Sequence, residues 1–555
     1  MSDEKSSPTA GGQDSQLYLL TLFGVLAVGS IYLRPTFYKA MEFAHHPTME
    51  LATSLVGFAL CATVAGACVI WNRYVARHLE DEVLSEDEES CYLGREIDTK
   101  KKVHLKANFR TMHTELVGTT NAGKTASIMA PWTYSDIELG RGLIFIDGKS
   151  DQNFLNQLYA RVVQAGREKD FYVFSLARPA ISSTFNPFCQ GSPELITERV
   201  FSAFQFENEF YKSIQFDAFR TIVTMIMHRG KVPMPGLIRE LVRDRAKLQN
   251  WTEGLSDSNL VGDVLKLIEN KELEKDCAGL IAALGHFSQG ATSALFNTTH
   301  PEITLSDALK NGKICYFQLP TMQFGFLGAA TGRLLLQSLQ SAISELQVSG
   351  GGQLKNLFSI YLDDFNDYMY TDFVSLLNKS RSAKIGVVFA HQSIGDLEKV
   401  SPEFRKISMT NTNLKVIMRS NDPDSAEYFA KMIGTQTTEK TTERRRKGLF
   451  KPENTGDQSV RETEEYLIHP NYFKSGLGRG EGVVVIPYEK GQIVRKVKFK
   501  AWPDIPVLRM PVRDLLTPDF CTAALNGKEQ PVQPNAPARR EKQTEKEETK
   551  NNPYS

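Results

Sequence analysis

The sequence predicts an α/β protein built on a mostly parallel sheet, and three features of the chain favour this fold class. Short apolar runs of strand length alternate with longer runs of helical periodicity along much of the chain. A glycine-rich loop containing Lys and Thr joins an early strand to a helix, and a later strand ends in two adjacent carboxylates. Such alternation favours parallel strands connected by helices, with ligands bound at the carboxyl ends of the strands.

The composition is that of an ordinary globular protein. The 555 residues include 65 basic and 65 acidic side chains, so the net charge provides no general attraction to nucleic acid, and any such site must be local. The seven cysteines are scattered and form no C-x-x-C pair. We therefore expect free thiols in a reducing compartment and no zinc site.

Two uncharged, mostly apolar runs near the start of the chain predict transmembrane helices. They cover residues 17–33 and 51–71 and contain no charged side chain. A helix needs about 20 residues to cross the hydrocarbon core, with about 17 as the lower limit. Buried core helices are the alternative, but neither run has the polar face of a soluble amphipathic helix. Residues 1–16 are predicted to be disordered, and residues 34–50 to form a short loop between the two spans.

The most informative motif is a P-loop of the form G-x-x-x-x-G-K-T, which follows an extended segment and precedes a helix. Its glycines let the backbone turn N–H groups toward nucleotide phosphates, the lysine reaches the β- and γ-phosphates, and the threonine hydroxyl binds Mg²⁺. A simple glycine-rich turn would explain neither the lysine nor the threonine. The predicted ATP-binding residues, of which Thr125 also binds Mg²⁺, are Gly118, Thr119, Thr120, Asn121, Ala122, Gly123, Lys124 and Thr125. Because ATP is cytosolic, both termini are expected inside and the 34–50 loop outside.

The rest of the chain is divided by its changing periodicity. Residues 72–191 form the first part of the nucleotide-binding domain, and residues 192–299 have helical periodicity with few strand signals, which predicts an all-α insert. Residues 300–526 return to strands and helices and form the second part of the domain. Residues 527–555 are rich in Pro, Lys and Glu and are predicted to be a disordered tail. The main predicted strands are 142–147, 171–175, 313–319, 356–364, 385–390 and 414–418, with a hairpin at 482–486 and 492–500.

A second chemical landmark is the apolar strand that ends in Asp363 and Asp364. In a P-loop ATPase one such acid helps to hold Mg²⁺, and the next orients or activates the attacking water. Acids also begin turns, so the pair has weight only because a P-loop precedes it. The predicted metal ligands are accordingly Thr125 and Asp363.

Three further features remain open from the residues alone. Arg381, expected close to the catalytic edge of the sheet, is a candidate finger for a neighbour's γ-phosphate, and Gln392, which ends a strand, is a candidate phosphate sensor. A surface arginine and a capping glutamine are the alternatives. The basic run 437–451 is either a solvated loop or a loop that faces DNA.

Taken together, these motifs resemble those of the type IV secretion coupling proteins, the TraD/TraG group of conjugative ATPases in the HerA–FtsK superfamily. The resemblance extends over about residues 17–502. It rests on the two spans, the P-loop and four short motifs, which are Phe145-Ile-Asp-Gly-Lys-Ser-Asp151, Phe185-Asn-Pro-Phe188, Asp363-Asp-Phe365 and Gln392-Ser393.

The resemblance implies a RecA-like motor domain with an inserted all-α domain, carried by two N-terminal transmembrane helices. It further implies a homohexamer in the bacterial inner membrane, with the ATPase domain in the cytoplasm. The implied partners are single- or double-stranded DNA bound largely without sequence preference, relaxosome or effector proteins, the secretion channel and the membrane.

Carried over by position, the resemblance makes Lys124, Asp363, Asp364, Arg381 and Gln392 the catalytic set. Asp363 is then the Walker B acid, Arg381 the intersubunit finger and Gln392 the sensor. Asp364 stands where the family usually has Glu, and its shorter side chain places strong hydrolysis in question. Asp147-Gly-Lys-Ser150 likewise departs from the Asp-Pro-Lys-Gly of many members.

The expected function is therefore ATP-driven recruitment and transfer of DNA or protein substrates into a secretion channel. A nucleotide-binding recruitment platform with weak hydrolysis and an FtsK-like DNA translocase are the alternatives. The absence of an L-S-G-G-Q stretch disfavours an ABC transporter.

Overall fold

The structure, a computed structural model, describes residues 63–512 apart from 72, 73, 76, 205, 207, 208, 349, 350, 448–451, 490 and 504. For residues 439–463 it describes the backbone alone. The predicted disordered N-terminus, the first predicted span, the loop after it and the predicted tail lie outside the described residues. Internal contacts divide the chain into two units, residues 1–83 and 84–555.

The described part of the first unit is helical at 63–71, 74–75 and 77–83. This includes the last nine residues of the second predicted span, whereas 51–62 lie outside the description. Val64, Val69, Ile70 and Trp71 in this stretch are exposed. Among the residues with described positions, no helix is both long and apolar enough to cross a bilayer.

The second unit is built around an eleven-stranded mixed sheet with strand order β2-β1-β13-β12-β9-β3-β8-β7-β4-β6-β5. The strands are β1 Cys91–Glu96, β2 Lys102–Leu105, β3 Thr114–Val117, β4 Leu143–Asp147, β5 Phe171–Ser175, β6 Ile314–Gln318, β7 Phe358–Asp363, β8 Ile385–His391, β9 Leu414–Met418, β12 Glu481–Tyr488 and β13 Gly491–Phe499. A separate two-stranded sheet pairs β10 Thr435–Lys447 with β11 Pro452–Tyr466.

The strands from β9 to β5 in this order are all parallel. Every residue of β3, β4, β6, β7, β8 and β9 is buried, so both faces of this part of the sheet are covered. The predicted parallel α/β sheet is confirmed. The predicted hairpin is also confirmed. It consists of β12 and β13, and β12 pairs with β9 in the antiparallel sense. The antiparallel extension through β1 and β2 was not predicted.

The α-helices of this unit are α1 Ala107–Arg110, α2 Ala130–Glu138, α3 Gln152–Gln164, α4 Pro193–Ala203, α5 Glu209–His228, α6 Pro235–Arg243, α7 Arg245–Thr252, α8 Ser258–Glu269, α9 Leu273–Asp276, α10 Ala278–Ser288, α11 Ser293–Phe296, α12 Leu305–Asn311, α13 Gly325–Val348, α14 Phe373–Ser380, α15 Ile394–Glu398, α16 Pro402–Asn411 and α17 Pro423–Ile433. Short π-helical turns cover Lys124–Met129 and Tyr472–Gly476.

The helices α4 to α11 lie between β5 and β6 in the chain, and the described residues from 193 to 296 contain no strand. Their apolar side chains belong to the same core as the sheet. One continuous cluster of buried side chains includes Ile146 and Leu362 from strands and Ile222 and Leu284 from these helices. The helical segment therefore packs onto the sheet domain instead of forming a core of its own.

The basic run 437–451 was predicted to be a loop, and this prediction is wrong for its described part. Residues up to Lys447 form most of β10, which pairs with β11 from Thr435↔Tyr466 to Lys447↔Pro452. The run contains several threonines, whose β-branched side chains favour extended backbone. Charge pattern alone was a poor guide to its conformation.

Candidate functional site

The P-loop follows β3, which lies between β8 and β9 in the parallel sheet. Asn121 and Gly123 have positive φ angles of 64° and 103°. A Cβ atom at Gly118 would lie 2.9 Å from the Cβ of Met418, so only glycine fits between the loop and β9 without a shift. The loop backbone is held by its neighbours, because Gly118 N donates to His391 O at 3.3 Å and Thr119 N to Arg419 O at 2.8 Å.

Lys124 begins the helical segment after the loop. Its Nζ donates to the carbonyl oxygens of Gly118 at 2.6 Å and Thr119 at 3.4 Å. Burial lowers the pKa of Lys124, and the carboxylates of Asp363 and Asp364 oppose this effect. The ammonium group is thus held inside the loop, where a P-loop lysine contacts nucleotide phosphates.

Thr125 and Asp363 meet directly, although 238 positions separate them in the chain. The Thr125 hydroxyl donates to Asp363 Oδ2 at 2.7 Å. Burial raises the pKa of Asp363 to about 6, and the adjacent charge of Asp364 adds to the increase. A divalent cation would relieve this unfavourable burial of negative charge, and Mg²⁺ prefers oxygen ligands of this kind. The predicted metal ligands therefore fit Mg²⁺ in donor type and electrostatics.

Asp364 lies beside this pair, but its carboxylate contacts Lys149 and not Thr125. Its φ angle is 49°, in the left-handed region, and its Oδ1 accepts a hydrogen bond from Lys149 Nζ at 2.8 Å. Burial would lower the pKa of Lys149, but the hydrogen bond and charge of Asp364 raise it. A base role for Asp364 would have to operate beside this ion pair, with Oδ2 the carboxylate oxygen that accepts no hydrogen bond among the described residues.

Asp147 ends β4, next to β7, and shapes the turn that carries Lys149. Its carboxylate accepts hydrogen bonds from the backbone N–H groups of Lys149, Ser150 and Asp151 at 2.7 to 3.0 Å. The Tyr316 hydroxyl donates to its Oδ2 at 2.6 Å. Asp147 is therefore a structural residue of the site, and its partner Tyr316 carried no signal in the sequence.

The structure brings Gln392 to the P-loop but leaves Arg381 away from it. Gln392 Oε1 accepts a hydrogen bond from the Thr120 hydroxyl at 3.3 Å. Arg381 precedes β8, whereas Gln392 follows it, and a strand of seven residues spans about 23 Å. The expectation that Arg381 lies close to the catalytic edge is therefore wrong within one subunit. Its implied role toward a neighbouring subunit stays a prediction.

A buried charged cluster beneath the P-loop escaped the sequence analysis. It consists of Glu115 on β3, His391 at the end of β8 and Lys415 on β9, all nearly inaccessible to solvent. Glu115 Oε1 lies 2.9 Å from His391 Nε2, and Lys415 Nζ donates to Glu115 Oε2 at 2.5 Å. The sequence did contain a signal for this cluster, because each of the three ionisable residues lies in an otherwise apolar strand. Buried charges are seldom found unpaired, so such residues indicate that they pair with one another.

Comparisons with known proteins find similarity to type IV coupling proteins. Residues 358–475, from the first residue of β7 to the π-helical turn after β11, match the family described as "TraM recognition site of TraD and TraG". The type 4 coupling protein DotL of Legionella pneumophila is 21% identical over 405 residues, which cover 62% of this chain and 52% of DotL. The predicted resemblance to the type IV coupling proteins is confirmed.

Solved coupling-protein structures share the fold. The bacterial conjugative coupling protein TrwBdeltaN70 in its unbound form aligns with a TM-score of 0.53 over 78% of this chain and 92% of its own, at 13% identity. The coupling protein TrwB in complex with ADP and Mg²⁺ aligns with a TM-score of 0.51 over 74% and 90% of the two chains, also at 13% identity. Identity this low shows the shared fold alone. The chain spans about half the length of its coupling-protein relative DotL.

Proposed function

We propose that this chain is an ATP-hydrolysing coupling protein that recruits substrates and drives them into a type IV secretion channel. The observation that supports this most is the contact between the Thr125 hydroxyl and Asp363, 2.7 Å apart beside Lys124. Groups with the chemistry needed for phosphate and Mg²⁺ thus converge at the carboxyl ends of β3 and β7. That TrwB has been solved with ADP and Mg²⁺ supports the same ligands here.

The proposed location is the bacterial inner membrane, with the ATPase domain in the cytoplasm. The support comes from the uncharged runs at residues 17–33 and 51–71. The described end of the second run is a helix with exposed apolar side chains, including Ile70 and Trp71. Two spans would place both termini on the ATP-containing side.

The proposed cargo is DNA carried by a relaxase, protein effectors, or both. The match of residues 358–475 to a TraM recognition site supports a relaxosome or adaptor protein as one partner. DNA would be bound through its phosphates, largely without sequence preference and with strong salt dependence.

The proposed assembly is a homohexamer in which Arg381 of one subunit reaches the nucleotide of the next. Arg381 is exposed at the amino end of β8, and among the described residues its guanidinium forms no ion pair. An arginine at this end of β8 is too far from the P-loop of its own subunit to contact a nucleotide there, and arginine fingers supplied by a neighbour stabilise charge in the transition state.

Two features of Asp364 favour a second candidate function, a nucleotide-binding recruitment platform with weak hydrolysis. Asp364 replaces the usual Glu, and its carboxylate forms an ion pair with Lys149. Both features oppose its action as a general base. ATP would then promote assembly without driving transport.

ATP turnover by the full-length chain separates the two functions. The rate is measured with and without single- and double-stranded DNA, for the wild type, Lys124→Ala and Asp364→Glu. Lys266→Ala is the matched control, because Lys266 lies on the exposed face of α8 with a side chain that is 76% accessible. Hexamer formation is checked for each protein by mass photometry.

DNA-stimulated turnover that Lys124→Ala abolishes and Lys266→Ala leaves unchanged would establish the motor. Hexamers without turnover in the wild type, but with turnover in Asp364→Glu, would establish the platform. Hexamers of both proteins that neither bind nor hydrolyse ATP would refute both functions.

A further inference from the structure

A groove of about 610 Å³ lies on one face of the three strands that end the large sheet, β2, β1 and β13. Leu93, Val103 and Phe499 from the same strands are buried in the opposite direction. The strands β12 and β9 separate these three from the P-loop strand β3, so the groove is distinct from the nucleotide site. We call it the edge groove, and its charged lining consists of Arg95, Lys102, Lys498, Lys500 and Glu86.

The four cations of the edge groove lie on adjacent strands. Arg95 on β1 pairs in register with Lys102 on β2 and with Lys498 on β13. Lys500 follows β13, and its Nζ lies 5.5 Å from the ring centre of Tyr92. Like charges that face each other across strands destabilise a sheet. Such a row has no benefit for the sheet itself, which favours a role in binding an anion.

Nearby carboxylates compensate only part of this charge. Glu86 Oε2 lies 4.0 Å from Lys102 Nζ, and Glu481 Oε1 lies 2.9 Å from Lys498 Nζ. In the described part of the chain the other two cations form no ion pair. The Arg95 side chain donates to a backbone carbonyl oxygen at 3.0 Å, and the fourth cation lies over the tyrosine ring. The edge groove thus keeps an excess of positive charge, which favours a multiply charged anion such as a phosphate group.

A buried polar atom without a partner also lines the edge groove. His104 is 6% exposed, and its Nδ1 lies 3.4 Å from Ser90 Oγ. Its Nε2 has no hydrogen-bond partner among the described residues, and the carboxylate of Glu86 is 3.8 Å away. A hydroxyl group can both donate and accept, so a ligand hydroxyl satisfies this nitrogen whichever ring nitrogen carries the proton.

We propose that the edge groove binds a phosphate ester of a small polyol, with the phosphate at Arg95, Lys498 and Lys500 and a hydroxyl at His104 Nε2. Neighbouring strands are about 5 Å apart, so the side chains of Arg95 and Lys498 start close enough to hold one phosphate group. The ester comes either from a soluble glycerol phosphate or from the headgroup of a phosphoglycerol lipid. This binding site does not depend on the proposed ATPase function.

Binding is measured by isothermal titration calorimetry of the full-length chain in a nonionic detergent, with saturating Mg²⁺-ADP to occupy the P-loop. The two probes are sn-glycerol 3-phosphate and n-propyl phosphate, which share a carbon chain and a phosphate but differ in their hydroxyls. Saturable binding of one glycerol phosphate per chain is expected. The propyl ester should bind about fivefold more weakly, because it offers no hydroxyl to His104. No saturable binding, or equal affinities, would overturn the proposal.

Three variants locate the bound phosphate. Arg95→Gln and Lys500→Gln should each weaken binding of sn-glycerol 3-phosphate by at least about tenfold, because each removes a charged hydrogen-bond donor. Both side chains are exposed, so neither variant removes a core contact. Lys266→Gln, which removes the same charge from the exposed face of α8, is the matched control and should change nothing.

Binding that Arg95→Gln and Lys500→Gln leave unchanged would place the phosphate elsewhere and overturn the proposal. An equal loss in Lys266→Gln would show only general electrostatic attraction, with the same consequence. Residual binding at a P-loop that holds no ADP would also be unaffected by the two groove variants. The comparison therefore gives its answer whether or not the chain binds or hydrolyses ATP.

The source of the ester is distinguished with dihexanoylphosphatidylglycerol, a short-chain lipid that stays in solution. If it binds more tightly than sn-glycerol 3-phosphate, while dihexanoylphosphatidylcholine does not bind, the ligand is a membrane lipid. The reverse order of affinity identifies a soluble phosphate ester. A single-stranded oligonucleotide that binds through Arg95 and Lys500 when neither polyol phosphate does would overturn the assignment.

Discussion

Two carboxylates, Asp147 and Asp363, end neighbouring parallel strands and lie opposite each other in register. Both are almost fully buried, yet their surroundings differ. Asp147 receives three backbone N–H groups and the Tyr316 hydroxyl. Asp363 receives the Thr125 hydroxyl and the N–H of Asp364, next to the negative charge of Asp364 itself.

The difference shows what separates a structural acid from a candidate metal ligand at the same edge of a sheet. Four donors use the acceptor capacity of Asp147, so its charge stabilises a turn. Asp363 keeps unused acceptor capacity in a site that already contains excess negative charge. Both residues are candidates for metal binding because each ends a parallel strand. The number of hydrogen-bond donors around each carboxylate shows which of them is free to bind a metal.

The largest expected effect is on catalysis. Asp363→Asn should lower ATP turnover by about 100-fold or more, because it removes the negative charge proposed to hold Mg²⁺. Steady-state ATPase assays over a range of Mg²⁺ concentrations provide the measurement, with Asp263→Asn on the exposed face of α8 as control. Turnover in Asp363→Asn close to that of the wild type would show that the two carboxylates are not distinguished by metal binding.

The second effect is on the pH dependence of stability. In the folded protein the pKa of Asp363 rises from 3.8 to about 6, so the folded state binds more protons than the unfolded state between these values. Stability should therefore fall as the pH rises through this window, by roughly 3 kcal/mol in total.

The readout is the difference in stability between Asp363→Asn and the wild type, measured by urea unfolding without nucleotide or Mg²⁺. The variant should be the more stable protein above about pH 6, and the difference should vanish below about pH 4. Addition of Mg²⁺ and ADP should stabilise the wild type more than the variant. A difference that does not change with pH would mean that the charge of Asp363 is already compensated.

The smallest effect concerns Asp147, whose carboxylate already accepts four hydrogen bonds. Tyr316→Phe removes one of the four donors to Asp147 and should lower stability by about 1 to 3 kcal/mol, with ATP turnover changed less than about twofold. Tyr370→Phe is the matched control, because the buried Tyr370 hydroxyl has no hydrogen-bond partner among the described residues. If both variants lost the same amount of stability, the hydrogen bond from Tyr316 to Asp147 would contribute no more to stability than a buried hydroxyl without a partner.

Much of the candidate site could be read from the sequence because its parts are local. The P-loop is eight consecutive residues whose backbone geometry depends on its own glycines, and Asp363 ends a short apolar run. Parallel strands bring their carboxyl ends to one edge, so proximity of Lys124, Thr125 and Asp363 followed from the fold class. The position of Gln392 at the end of a strand could be predicted in the same way, but its hydrogen bond with Thr120 could not.

Tertiary structure decided the features that depend on partners distant in the chain. Glu115 meets Lys415 across 300 positions, and Asp147 meets Tyr316 across 169. Pairing with β11 made the basic run a strand. Local sequence determines which groups are available and which backbone they favour. Burial and the donors that surround each group determine its charge, and those depend on the packing of the whole sheet.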